Sequence, residues 1–175
     1  MSNDLSIFQL LPEVTNSQVI ENKMQNTTFI GIDFGTSTTV VSYTIIGDSI
    51  TPLRTSPIAI NQLNFDGNII THHLVPSCIA FQNNKLFVGQ GAKVLKSKLQ
   101  PEQNIWFSFK MNLGKDNGPE YTRTELREGN PIGKIENALD ATKIFFKALK
   151  KEIDRYVIDH NLPRRLVFSV SIPAS

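Results

Sequence analysis

Cysteine is nearly absent. The only one, Cys78, has no partner for an internal disulfide and no second thiolate for a zinc cluster. Long hydrophobic runs are missing too, since none approaches the roughly 18 apolar residues that a membrane-spanning helix needs. There is little excess charge of either sign. Eighteen Lys and Arg face sixteen Asp and Glu, leaving +2. That is too little to favour nucleic acid or an anionic membrane, even with a pI ≈ 8.7. Residues 1–11 hold no Lys or Arg, and polar residues interrupt their apolar positions, unlike a secretion signal. Together with the lone cysteine this favours the cytoplasm. No internal repeat and no low-complexity block is present.

What remains is a foldable chain. With 175 residues, 40% of them hydrophobic, it suits one domain or one half of a larger bilobal one. Residues 1–27 read as a polar leader or linker, in which Leu5, Phe8 and Leu11 line one face of a short helix ended by Pro12. Thr28 to Asp33 and Thr38 to Ile46 read as two strands of a tight hairpin, with a third strand near Ile50–Leu53. Residues 55–73 read as loop, with an Asp66-Gly67 turn inside them. Leu74–Phe81 and Leu86–Val88 give two more short strands.

The second half is more helical in pattern. Gly91–Leu99 and Asn104–Leu113 are helix candidates, and residues 115–134, with three Gly and two Pro, form an exposed connection. Glu136–Asp159 is the longest helix signal, because Ala138, Ala141, Phe145, Leu149, Ile153 and Tyr156 recur at steps of three or four. Leu166, Phe168, Val170 and Ile172 then alternate with Val167, Ser169 and Ser171, the pattern of a half-buried strand. A chain that stops at Ser175, directly after a core strand, is expected to have its closing elements elsewhere.

One segment carries chemistry: Ile30-Gly-Ile-Asp33-Phe34-Gly35-Thr36-Ser37-Thr38. An apolar strand ends in a carboxylate, a glycine lets the backbone approach a ligand, and three hydroxylated residues follow. Successive backbone N–H groups in such a turn form a concave anion site, and Asp33 beside a bound phosphate would hold magnesium through water. It is not a P-loop, because no Gly-Lys-Ser/Thr opens a helix. The same residues also suit a plain hairpin with a hydroxyl-rich turn. His72-His73 and His160 lack the spacing and carboxylate partners of a metal site, and read as solvated. Trp106, Phe107 and Phe109 read as core or inter-lobe contacts. The lysines at 93, 96 and 98 and at 143, 147, 150 and 151 read as solvated helix faces.

The segment resembles the first phosphate motif of the actin-like ATPase superfamily, which takes in the 70-kDa heat-shock chaperones, actin and sugar kinases. Val75-Pro76-Ser77-Cys-Ile-Ala-Phe81, Phe87-Val-Gly89-Gln90-Gly-Ala-Lys93, Phe107-Ser-Phe-Lys110-Met-Asn-Leu-Gly114 and Val170-Ser-Ile-Pro173-Ala174 are similar to heat-shock chaperone segments, in the same order. The resemblance implies an α/β fold. This would be a ribonuclease-H-like lobe of the actin-like ATPase type, a mixed five-stranded sheet flanked by helices, over residues 28–175. It implies that Gly35, Thr36, Ser37 and Thr38 bind the phosphates of ATP or ADP and that Asp33 holds Mg through water. Lys110 would sit against the γ-phosphate as the catalytic lysine, with Asp33 its companion. It further implies a second lobe and a client-binding domain outside this chain, with client polypeptides and co-chaperones as partners, and neither nucleic acid nor membrane.

The departures from that family are specific. The leader is longer, the 55–73 connection is expanded, and the 115–135 stretch is shorter. A second phosphate loop is missing, so the segment alone is expected not to turn ATP over. A chaperone-like pseudo-ATPase used as a scaffold, and a sugar kinase of the same superfamily, are the competing readings.

Overall fold

A computed structural model describes residues 24–45, 54–114, 118–126 and 134–171. The leader helix around Leu5–Leu11, the strand expected at Ile50–Leu53, and Pro173 lie outside the described residues. So do parts of the 115–134 connection.

The hairpin forms as its sequence dictates. Strand β1 (Thr27–Phe34) and strand β2 (Thr38–Ile45) pair antiparallel, from Thr28 opposite Ile45 to Phe34 opposite Thr39. Alternation sorts β1 by face: Ile30, Ile32 and Phe34 are buried, while Asp33 points to the other face and is exposed. Strands β3 (Thr55–Pro57), β4 (Ile60–Leu63) and β5 (Ile69–His72) follow. The 55–73 stretch is therefore not loop. Ile60 and Gln62 are buried on one face of β4, and the Asp66-Gly67 turn joins β4 to β5 as a hairpin. Gly67 takes φ 89°, and the Asp66 side chain accepts the Asn68 N–H at 2.9 Å.

Strands β6 (Leu74–Pro76), β7 (Cys78–Gln82) and β8 (Lys85–Val88) come next. Asn83 and Asn84, both with left-handed backbone, make the two-residue turn between β7 and β8. Helix α1 (Gln90–Leu95) starts on a clasp: the buried Gln62 amide accepts the Gln90 N–H at 2.8 Å and donates to the Leu74 carbonyl at 3.2 Å. The helix ends short of the expected Leu99 because three-residue bonds, Lys96 N to Lys93 O and Lys98 N to Leu95 O, tighten the chain into turns.

The helix expected over Asn104–Leu113 does not form. Ile105, Trp106 and Phe107 are strand β9, antiparallel to Cys78–Ala80, and only Phe109–Asn112 coils, as one 3-10 turn. Aromatic and β-branched side chains suit a pleated surface next to a partner strand, which outweighs their weak helical spacing. The 115–134 connection is not wholly exposed either, since Tyr121 and Leu126 are buried in the core.

Helix α2 (Ala138–Asp159) matches the expected element. Asn137 caps it by accepting the Asp140 N–H at 3.0 Å. Ala138, Ala141, Phe145, Leu149, Ile153 and Val157 form the buried stripe, while Tyr156 sits at its margin against Tyr43. Pro163 follows the helix, and its carbonyl accepts the Thr28 hydroxyl at 2.8 Å. Strand β10 (Arg165–Ser171) then runs parallel to β1, from Thr27 beside Arg165 to Asp33 beside Ser171. It is not half-buried as its alternation suggests. Val167, Phe168 and Val170 are all exposed on this edge strand, while Leu166 packs against the main core.

The strands fall into three small sheets: β10-β1-β2-β3 with β6 also on β2, the pair β4-β5, and β8-β7-β9. This overturns the expected architecture, an α/β ribonuclease-H-like, actin-like lobe with helices flanking the sheet. Among the described residues strand makes up 38% and helix 25%, with only two α-helices, too few to flank a sheet. The physical reason lies in residues 55–73 and 105–107, whose β-branched and aromatic content pairs into extra sheets where loop and helix were expected. The main core lies between the β1–β2 face and α2, and a smaller one gathers Cys78, Ala80, Phe87, Ala92, Leu95 and Ile105.

Candidate functional site

The hydroxyl-rich turn sits at the end of the β1–β2 hairpin. Thr36 and Ser37 form a bend, without the carbonyl-to-amide bond that closes an ordinary β-turn. A Cβ at Gly35 would run into the Thr38 carbonyl oxygen, so this position tolerates only glycine. Ser77, just after β6, holds the turn from behind. Its N–H donates to the Ser37 carbonyl at 3.0 Å, its hydroxyl donates to the Gly35 carbonyl at 2.8 Å, and its oxygen lies 3.0 Å from the Thr39 hydroxyl.

Phe34 fixes the turn to the core. Its ring stacks on Phe109 with centroids 6.2 Å apart and packs edge-on to Phe146 at 5.0 Å. Phe109 opens the 3-10 turn that carries Lys110 and Met111. Immediately before it, Ser108 adopts left-handed backbone (φ 54°, ψ 16°), a conformation that costs a non-glycine residue about 1–2 kcal/mol. The two turns touch where the Thr36 hydroxyl lies 3.6 Å from the Met111 sulfur.

The residues singled out from sequence are thus distributed as follows. Gly35, Thr36, Ser37 and Thr38 share one turn, and Thr36 reaches the residue after Lys110. Lys110 is partly exposed. Thr38 opens β2 opposite Pro76. Asp33 stands exposed on the face of β1 opposite Phe34, flanked in register by Val40 and Ser171, and so does not share the aromatic contact that joins the turns. Among the described residues no cluster of three or more His, Cys, Asp and Glu could hold a metal by itself. A lone exposed carboxylate fits magnesium all the same, because that ion keeps several waters and takes one or two carboxylates together with substrate phosphates.

The Nδ1 of His72 accepts the Leu74 N–H at 2.9 Å. Trp106 is fully buried in the core. Burial pushes the Cys78 thiol up to about 12, which leaves it a neutral, inert core residue.

Sequence reasoning missed the role of Ser77. The signal was available: a hydroxyl residue inside the apolar run from Leu74 to Phe81 is set for burial, and a buried hydroxyl must find partners.

Compared with known proteins, the chain matches no family model and no curated protein. Among the described residues no helix is long and apolar enough to cross a membrane.

Proposed function

We propose that this chain binds the triphosphate of ATP, with magnesium, at the Gly35–Thr38 turn, as the nucleotide-binding part of a chaperone of the 70-kDa heat-shock type. One observation carries the reading: the contact between Thr36 and Met111, which sets the hydroxyl-rich turn beside the turn bearing Lys110. A row of hydroxyls and backbone N–H groups next to a lysine is what phosphoryl oxygens need, since phosphoryl transfer depends on positioning and on charge stabilisation.

In this reading Thr36, Ser37 and Thr38 grip phosphate oxygens, Lys110 neutralises the terminal phosphate, and Asp33 meets magnesium through its water shell. When bound, magnesium supplies charge neutralisation between the phosphates. The chain offers donors from one side only, so the phosphates stay wet. An ion pair at 4 Å contributes about 1 kcal/mol in bulk water, against about 4 kcal/mol at the effective dielectric of a protein surface. Affinity is therefore low, and this chain alone does not hydrolyse ATP. A second lobe, a client-binding domain, clients and co-chaperones, and a cytoplasmic setting belong to the same proposal.

The test is a titration of the 15N-labelled chain with magnesium-ATP. Amide shifts concentrated at residues 35–38 and 110–111, with weak affinity and no ATP turnover, are expected. Asp33→Asn should flatten the magnesium dependence. In a longer protein carrying this segment, Lys110→Ala should abolish hydrolysis while sparing most of the affinity. Shifts confined to other regions, or none, sink the proposal, and tight binding by the chain alone sinks its one-sided form.

A further inference from the structure

We infer that Ser77 is a positioning residue that holds the Gly35–Thr38 turn open for an anion, by taking the two carbonyls that would otherwise close or crowd it. The inference rests on the nucleotide reading above and deepens it by naming what prepares the site.

The geometry is simple. An ordinary four-residue turn over 35–38 would spend the Gly35 carbonyl on the Thr38 N–H. Here that carbonyl accepts the Ser77 hydroxyl at 2.8 Å, and residues 36 and 37 remain an unclosed bend. The Ser37 carbonyl likewise accepts the Ser77 N–H at 3.0 Å. No peptide bond among the described residues is cis. In a trans peptide the N–H points opposite to the C=O of the same unit. With the carbonyls of Gly35 and Ser37 both drawn toward Ser77, the N–H groups of Thr36 and Thr38 are directed away from it. Thr36 and Thr38 thus present two alternate N–H groups on the side of the turn away from Ser77, donors that an oxyanion can meet.

Ser77 is suited to hold this state. It is buried and follows Pro76, whose ring fixes its own backbone angle, and Gly35 has no side chain to interfere. With the Ser77 proton given to the Gly35 carbonyl, the Thr39 hydroxyl, 3.0 Å from the Ser77 oxygen, is left to donate to that oxygen. A turn prepared this way needs no rearrangement when a phosphate oxygen arrives, so the cost of ordering is met during folding. The ligand class is a tetrahedral oxyanion of a polyphosphate, and the nucleoside is not recognised by this part of the site.

The experiment titrates the 15N-labelled full chain with magnesium-ATP and, in parallel, with inorganic tripolyphosphate, following the amides of Thr36, Ser37 and Thr38. The parent should respond to both probes. Ser77→Ala should weaken both by roughly fivefold to tenfold, the size expected for one lost hydrogen bond in a prepared site. Ser77→Thr, which keeps the hydroxyl, should restore binding to within about twofold. Recovery by the hydroxyl alone separates positioning from a general loss of structure. If the alanine variant does not fold, Ser77→Cys, close in size but a weak donor, should show the same weakening.

If the parent binds and the Ala or Cys variant binds equally well, the role of Ser77 is overturned while nucleotide binding stands. A response to magnesium-ATP with none to tripolyphosphate overturns the stated ligand class. If the parent amides respond to neither probe, the nucleotide reading itself is overturned, and the role of Ser77 with it.

Discussion

The rings of Phe34 and Phe109 stack with centroids 6.2 Å apart, joining the residue before Gly35 to the residue before Lys110. Phe145 completes the cluster, 6.0 Å from Phe34 and 5.8 Å from Phe109. Phe109→Ala removes a fully buried ring and should cost about 3–5 kcal/mol. Urea unfolding measures it, and a loss below about 1 kcal/mol would mean that the 3-10 turn is anchored by something else.

Gly35 has no room for a methyl group, because the obstruction is backbone rather than a movable side chain. Gly35→Ala should therefore either lower stability by about 1–3 kcal/mol or shift the Thr36–Thr38 backbone, with loss of the Thr36–Met111 contact. An unchanged melting temperature together with unchanged amide shifts at residues 35–38 would contradict the crowding described.

Cys78 is buried in the smaller core, and desolvation raises its thiol to about 12, with the Lys96 charge opposing only in part. At neutral pH the thiol should react with an aromatic disulfide reagent only on unfolding, in step with the loss of native signal. Fast labelling of the folded chain would show that this core is open to solvent.

The Asp66 carboxyl sits below the ordinary carboxylate value, chiefly because it accepts the Asn68 N–H. A value lower in the folded than in the unfolded chain stabilises the turn above the ordinary carboxylate pKa. That contribution fades as pH falls through the folded value. The Asn68 amide shift should titrate with an acidic midpoint below that of a free Asp. In Asp66→Asn the acid-dependent change should vanish. A midpoint at or above the free value would reverse the assignment.

Legibility in the sequence followed the range of the forces involved. The β1–β2 hairpin and helix α2 were readable because each is specified locally, the first by a glycine-bearing turn between apolar strands and the second by a stripe from Ala138 to Leu149 and beyond. Ile105–Phe107 was misread because three apolar residues have no periodicity, and only the distant Cys78–Ala80 partner makes them a strand. The expected flanked α/β lobe failed for the same reason, through β4, β5 and β9, which exist by pairing. The turn residues Gly35 to Thr38 stand next to one another in the sequence and were legible as a hydroxyl-rich turn. The assembly of the site was not, because the approach of Thr36 to Met111 depends on aromatic packing between positions far apart in the chain.

Strand β1 is internal to its sheet only because β10 lies along it, and the Thr28 hydroxyl reaches Pro163 across 135 residues. Such a pairing comes late, since loop closure over that span must precede it. During synthesis the β1–β2 hairpin emerges well before β10 and stays open on that side until residues 165–171 have left the ribosome. Helix α2 emerges just ahead of β10, so Ile30, Ile32 and Phe34 gain its cover only once residues 138–159 have been made. The Gly35–Thr38 turn is therefore made long before the strand that secures its sheet.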